Sequence, residues 1–270
     1  MTVGLGFTVD ELVPAGRGSG ALRMGLVRLS EDEWLWPAFD RAARGDVFAR
    51  YRDSVMFLPG SAGAAREAAQ LVAGRDDLGA AAASVWEDLC VLEADASGLY
   101  RLTAAAVGFP TDWRLAEKMG LPLTAIHAPI HGYAEELAAG VDHFFTALRP
   151  GAIFGRANWF VVASNGWRYL PQDSAETRFA HVTAANAGNT LFVRCERQTL
   201  RRLPDSGAVL FTIGIALAPL GELDAGLIRR IAGNVAALSG GEHERRAAPL
   251  YVEALAGYAA RRAGEWENAA

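Results

Sequence analysis

The chain has 270 residues, is 51% hydrophobic and 21% charged, and carries a formal net charge of −5. That is enough chain for one large domain or two small ones around a substantial core. The acidic balance disfavours a nucleic-acid partner, which usually meets a basic surface.

The opening stretch, MTVGLGFTVDELVPAGRG, lacks the basic start and apolar centre of a secretory signal. No apolar run approaches the roughly 20 residues of a membrane helix. A cytoplasmic location without a membrane partner is therefore expected. Residues 1–30, rich in glycine, read as an irregular N-terminal arm. Ser30 followed by Glu31, Asp32 and Glu33 carries a helix-start signal, an N-cap with acids in the first turn. Pro37 keeps that helix short.

Residues 45–57 offer another short element, and LPGSAG at 58–63 a loop. The alanine-rich segments 64–73 and 78–94 read as helices, the second with Val85, Leu89 and Leu92 as an apolar stripe. A strand is predicted over 99–107. FPTDW at 109–113 turns the chain, Thr111 or Asp112 caps a helix through Lys118, and Gly120 ends it. Pro122 and Pro129 forbid a continuous helix through LPLTAIHAPIHGY. From Tyr133, the residues Leu137, Val141, Phe144, Phe145 and Leu148 share one helix face, ending at Pro150. Residues 152–163 read as a strand, followed by a long polar loop through Asn189.

The run LFVRCERQTLRRL at 191–203 is strand-like yet highly charged, whereas AVLFTIGIAL at 208–217 is apolar; PDSG between them signals a hairpin. Alternation puts Arg194, Glu196 and Gln198 on one side and Val193, Cys195 and Arg197 on the other. Such a charged row is either a solvated face or a buried one whose groups have partners or a ligand. Beyond Pro219, Leu227, Ile228, Ile231 and Val235 mark one helix, and residues 251–265 another. Helices, three consecutive antiparallel strands, then helices predict an α+β fold. Cys90 and Cys195 are the only cysteines. They exclude a four-thiolate metal or iron–sulfur site within one chain and read as small buried apolar residues.

Four stretches carry a resemblance to a known family: WEDLCVLE (86–93), GFPTDWRLAEKMGLPLTAIH (108–127), GRANW (155–159) and RCERQTLRRLPDSGAVLF (194–211). Together they resemble the α-subunit-like family of haem-dependent oxidative N-demethylases, over roughly residues 31–220. The resemblance implies a PAS-like antiparallel sheet flanked by helices, with helical N- and C-terminal extensions. Residues 1–30 would be the arm, 31–220 the domain holding haem b, and 221–270 C-terminal helices packed on it. It further implies a small amine or related nitrogen compound as substrate, O2 as oxidant, and electrons from an external flavin/iron–sulfur reductase. A non-catalytic haem-PAS sensor or binding protein is the alternative.

By the same resemblance His127 matches the family's IH-x-P segment and is the leading axial ligand. His131, where the family often has Pro, is second. His143 points away from the apolar stripe and reads as solvated, and His181 and His243 lie in polar loops and are assigned no chemistry. Arg156 and Glu196 match an Arg and a Glu that polarise the family's O2 and amine pocket. A secondary ammonium needs a carboxylate partner, and dioxygen gaining negative charge is stabilised by a fixed donor; a structural ion pair is the other possibility. Asn158 shares the Arg156 face by alternation. Arg194, Arg197, Arg201 and Arg202 are candidates for the haem propionates. Two departures stand out. The family's FTIRTY reads Phe211-Thr212-Ile213-Gly214-Ile215-Ala216 here, and its N-terminal active-site Tyr has no clear counterpart. Both point to a different or larger substrate.

Overall fold

The computed structural model describes residues 5–13, 23–130, 132–238 and 240–267. Among these residues seven strands form one sheet: β1 (Val27–Leu29), β2 (Val55–Phe57), β3 (Asp88–Ala94), β4 (Tyr100–Ala106), β5 (Ile153–Val162), β6 (Phe192–Arg202) and β7 (Val209–Pro219). Their spatial order is β1-β5-β6-β7-β3-β4-β2, and every pairing is antiparallel. Both edges are three-residue strands, short enough to discourage pairing with another chain.

Helices cover both faces. One face of β6 and β7 packs Val193, Cys195 and Ala216 against α1 (Val9–Leu12), α9 (Ala225–Ala236) and α11 (Val252–Glu267). Further along this face, Leu89, Val91, Ala104 and Ala106 meet the alanines of α3 (Ala62–Ala73) and α4 (Leu78–Ala83). The opposite face, with Cys90, Leu200, Val209 and Phe211, lies under α5 (Leu123–Ile126) and α6 (Ala138–Ala147). Short helices α2 (Arg41–Arg50), α7 (Ala175–Phe179), α8 (Ala187–Thr190) and α10 (Gly240–Arg245) complete the chain. The fold is α+β, an antiparallel sheet flanked by helices, with helices near both ends.

The expected hairpin forms. Leu203 N–H donates to Ala208 O at 2.8 Å, and Gly207 takes φ +69°, which a side chain would resist. The Glu67 carboxylate accepts from the turn N–H groups of Asp205 and Ser206. The long helix expected over 78–94 does not form: α4 stops at Ala83 and β3 begins at Asp88. Its residues 88–92 are buried on both faces, and such a strand has no polar alternation to separate it from a buried helix. Three other expectations change. The acidic cluster after Ser30 makes a turn rather than a helix, with Ser30 N–H donating to Glu33 at 2.9 Å. Only a 3₁₀ turn, Leu115–Glu117, precedes Gly120. The stretch 1–30 is not wholly irregular, since it contributes α1 and β1 to core and sheet.

Candidate functional site

Strands β5 and β6 pair in a register that sets Arg156 opposite Gln198 and Asn158 opposite Glu196. Alternation brings all four onto the face covered by α5 and α6. Arg156 Nη2 donates to Asn158 Oδ1 at 2.7 Å, and Gln198 Nε2 donates to Glu196 Oε2 at 3.0 Å. Guanidinium and carboxylate thus occupy one diagonal of a four-residue patch, and the amides the other. Glu196 is only 7% exposed, and its Oε1 accepts from no described residue. Burial pushes the Arg156 pKa down, while Glu196 and Tyr133 oppose that shift. Its Nε is buried and has no acceptor among the described residues.

Tyr133 reaches the patch from outside the sheet. Gly132 at φ +78° turns the chain ahead of a π-type turn, Tyr133–Leu137. The phenol is buried, its hydroxyl lacks a partner among the described residues, and burial raises its pKa to about 12. Its ring stacks on the His127 imidazole with centroids 4.5 Å apart and planes 18° from parallel.

His127 caps α5, whose start Pro122 supports. Its Nδ1 lies 2.8 Å from Leu123 O. A carbonyl only accepts, so Nδ1 carries the proton and Nε2 keeps its lone pair. Burial lowers the His127 pKa, the Leu123 hydrogen bond opposes this, and Arg156 and Lys118 add to the lowering. The ring is therefore neutral at pH 7, in the tautomer that ligates metal through Nε2. His131 lies outside the described residues. His143 and His181 are exposed.

The motif arginines serve the fold. Arg194, fully buried, donates to Thr111 Oγ1 and to the carbonyls of Phe109, Pro110, Gly166 and Trp167. Arg197 and Arg201 are on the other sheet face. Arg197 donates to the carbonyls of Leu5, Gly6, Glu33 and Trp34, and Arg201 pairs with Glu31 at 2.7 Å. Arg202 is held by the Tyr100 hydroxyl and the carbonyls of Phe145, Leu148 and Gly207. These arginines are tied to protein acceptors, and Arg197 and Arg201 are separated from Glu196 by the sheet itself.

The sequence matches, over residues 73–244, the family model described as haem-dependent oxidative N-demethylase, alpha subunit-like. The chain belongs to that family. Membership in the haem-dependent oxidative N-demethylase alpha-subunit-like family implies a haem-dependent oxidative enzyme, and the matched span contains all six residues of the patch and its histidine–tyrosine stack. The local chemistry fits a haem: one neutral imidazole with a free nitrogen suffices for axial ligation, and two buried polar atoms without partners indicate a missing companion. No cluster of three or more metal-ligating side chains occurs among the described residues, and haem requires none. No described helix is long and apolar enough to cross a membrane. Two site residues carry no chemical signature in the sequence. Gln198 shares only the alternation of Glu196; Tyr133 comes to the site through the Gly132 turn, which no strand pattern reveals.

Proposed function

We propose that this protein is a haem-dependent oxygenase of the oxidative N-demethylase type, acting on a small amine or related nitrogen compound. The observation that carries this is His127, its Nδ1 held by the Leu123 carbonyl so that Nε2 is left to ligate, beside a half-buried patch that holds Arg156 and Glu196 apart on a diagonal. Haem b, held through Nε2 of His127 on a PAS-like sheet, would supply O2 activation with electrons from an external flavin/iron–sulfur reductase.

Each residue then has a definable task. Glu196 Oε1 accepts an N–H from the substrate ammonium, and low exposure strengthens that charge-assisted bond. Gln198 fixes the carboxylate by holding Oε2. Arg156, oriented by Asn158, offers Nε as a fixed donor where negative charge develops. The Tyr133 hydroxyl stays protonated well above neutral pH and is a second donor.

The test is turnover: haem-loaded protein, a reductase electron source and a series of methylated amines, with formaldehyde and O2 uptake measured together. Matched formaldehyde and O2 uptake, abolished by Glu196→Ala, supports the reading. Haem binding without product from any amine favours a binding or sensing role.

A further inference from the structure

The patch leaves the carboxylates of a haem without partners, because the four motif arginines are already engaged. Arg194 and Arg202 are held by acceptors on the same sheet face, and Arg197 and Arg201 by acceptors on the other. A groove alongside the patch has the missing chemistry. It encloses about 460 Å³ and is lined by Phe144, Leu148, Phe154, Arg28 and Arg149, with small backbone-turn residues between them. Phe144 and Phe154 meet edge to face, centroids 5.2 Å apart at 88°, giving an apolar wall. Its size falls within the range of small-molecule sites, about 300–1,000 Å³.

Arg28 and Arg149 differ from the motif arginines. Arg28 lies opposite Phe154 in the β1–β5 register, with its guanidinium carbon 5.9 Å from that ring. Arg149 follows the last turn of α6. Both side chains are exposed, and no acidic residue is among those lining the groove. Two exposed cations flanking an apolar wall suit a flat hydrophobic body that ends in carboxylates.

The groove lies along the same sheet face as the patch. Phe154 and Arg156 are two residues apart on one sheet face, a separation of about 7 Å. Tyr133 and Phe144 lie along one helical segment, from the His127 stack at one end to the groove at the other. We propose, building on the haem reading above, that Arg28 and Arg149 bind the carboxylate edge of the haem whose iron His127 ligates.

The test compares haem with its dimethyl ester, which keeps the macrocycle and removes the negative charges. Each is titrated into protein produced without haem, and affinity is read from the Soret band. Wild type prefers haem over the ester by about tenfold or more, as paired charge-assisted bonds require. The double variant Arg28→Gln/Arg149→Gln loses that preference while its Soret position, set by His127, stays unchanged. Arg229→Gln/Arg230→Gln, which removes two exposed charges from α9, retains the preference. Equal binding of haem and ester to wild type, or an intact preference in the groove variant, overturns the groove assignment and leaves the haem reading standing. Failure of wild type to bind either porphyrin overturns both.

Discussion

Arg156 and Glu196 face the same space from adjacent strands without a hydrogen bond between them. Each is held by the amide two residues along its own strand, Asn158 and Gln198 respectively. A direct ion pair would satisfy both groups and leave nothing to bind. The diagonal leaves the Arg156 Nε and the Glu196 Oε1 without a partner among the described residues, while attraction from Glu196 supports the Arg156 charge. Isosteric Glu196→Gln should therefore weaken amine binding by about 1.5–3 kcal/mol, the value of a hydrogen bond to a charged group. An amine-induced change in the visible spectrum measures this, and the Soret band without amine should not move. Unchanged amine affinity in Glu196→Gln would remove the carboxylate from substrate binding.

Glu87 is expected to set the pH dependence of stability. It is fully buried, Oε1 accepts from Trp36 N–H at 2.7 Å, and Oε2 has no partner among the described residues. Burial raises its pKa from 4.5 to about 7, with the Trp36 N–H, Arg197 and Arg44 opposing. The native state therefore binds this proton more tightly than the unfolded chain does. Stability falls as pH rises from about 4.5 to about 7, with a full cost of about 3 kcal/mol above that window. Glu87→Gln keeps an acceptor for Trp36 and removes the charge. Urea midpoints at pH 5 and pH 8 should converge in this variant, and an unchanged difference would assign the effect elsewhere.

Asp88, one residue on, is fully partnered. It pairs with the fully buried Arg44 at 2.7 Å and accepts from the N–H groups of Gly108 and Phe109. Asp88→Ala leaves a buried guanidinium and two N–H groups without this acceptor, a loss of about 3–5 kcal/mol for a broken buried pair. Chemical denaturation reads it directly. A loss under about 1 kcal/mol would mean that Arg44 is in effect solvated, as an exposed pair would be.

Arg194 should behave as a structural clamp. Arg194→Met removes donors to segments 109–111 and 166–167 together. Proteolysis at those loops should accelerate, and global stability should fall by about 3 kcal/mol, as for other losses of a buried network. Faster loss of haem without loop exposure would instead give Arg194 a direct cofactor contact.

Much of this was legible in the sequence, for reasons that also mark its limits. The hairpin could be read because one strand is charged, the other apolar, and PDSG lies between them. Period two then placed Arg194, Glu196 and Gln198 on one face, as observed in β6. Strand β3 was not legible, since Leu89 and Val91 bury on one face while Cys90 and Leu92 bury on the other. Strands β1 and β2 are three residues long and give no periodicity. The engagement of the arginines was hidden for a different reason: their acceptors are backbone carbonyls from distant segments, and carbonyls leave no mark on composition. The nearness of Tyr133 to Arg156 depends on the single left-handed turn at Gly132.

Ligation of a haem by His127 is tested by the visible spectrum of protein purified from haem-supplemented cells, beside His127→Ala and His131→Ala. Wild type should carry near-stoichiometric haem, His127→Ala should lose or displace the Soret band, and His131→Ala should change it little. A His127→Ala protein that is folded by circular dichroism and retains the wild-type spectrum would show that His127 is not the ligand.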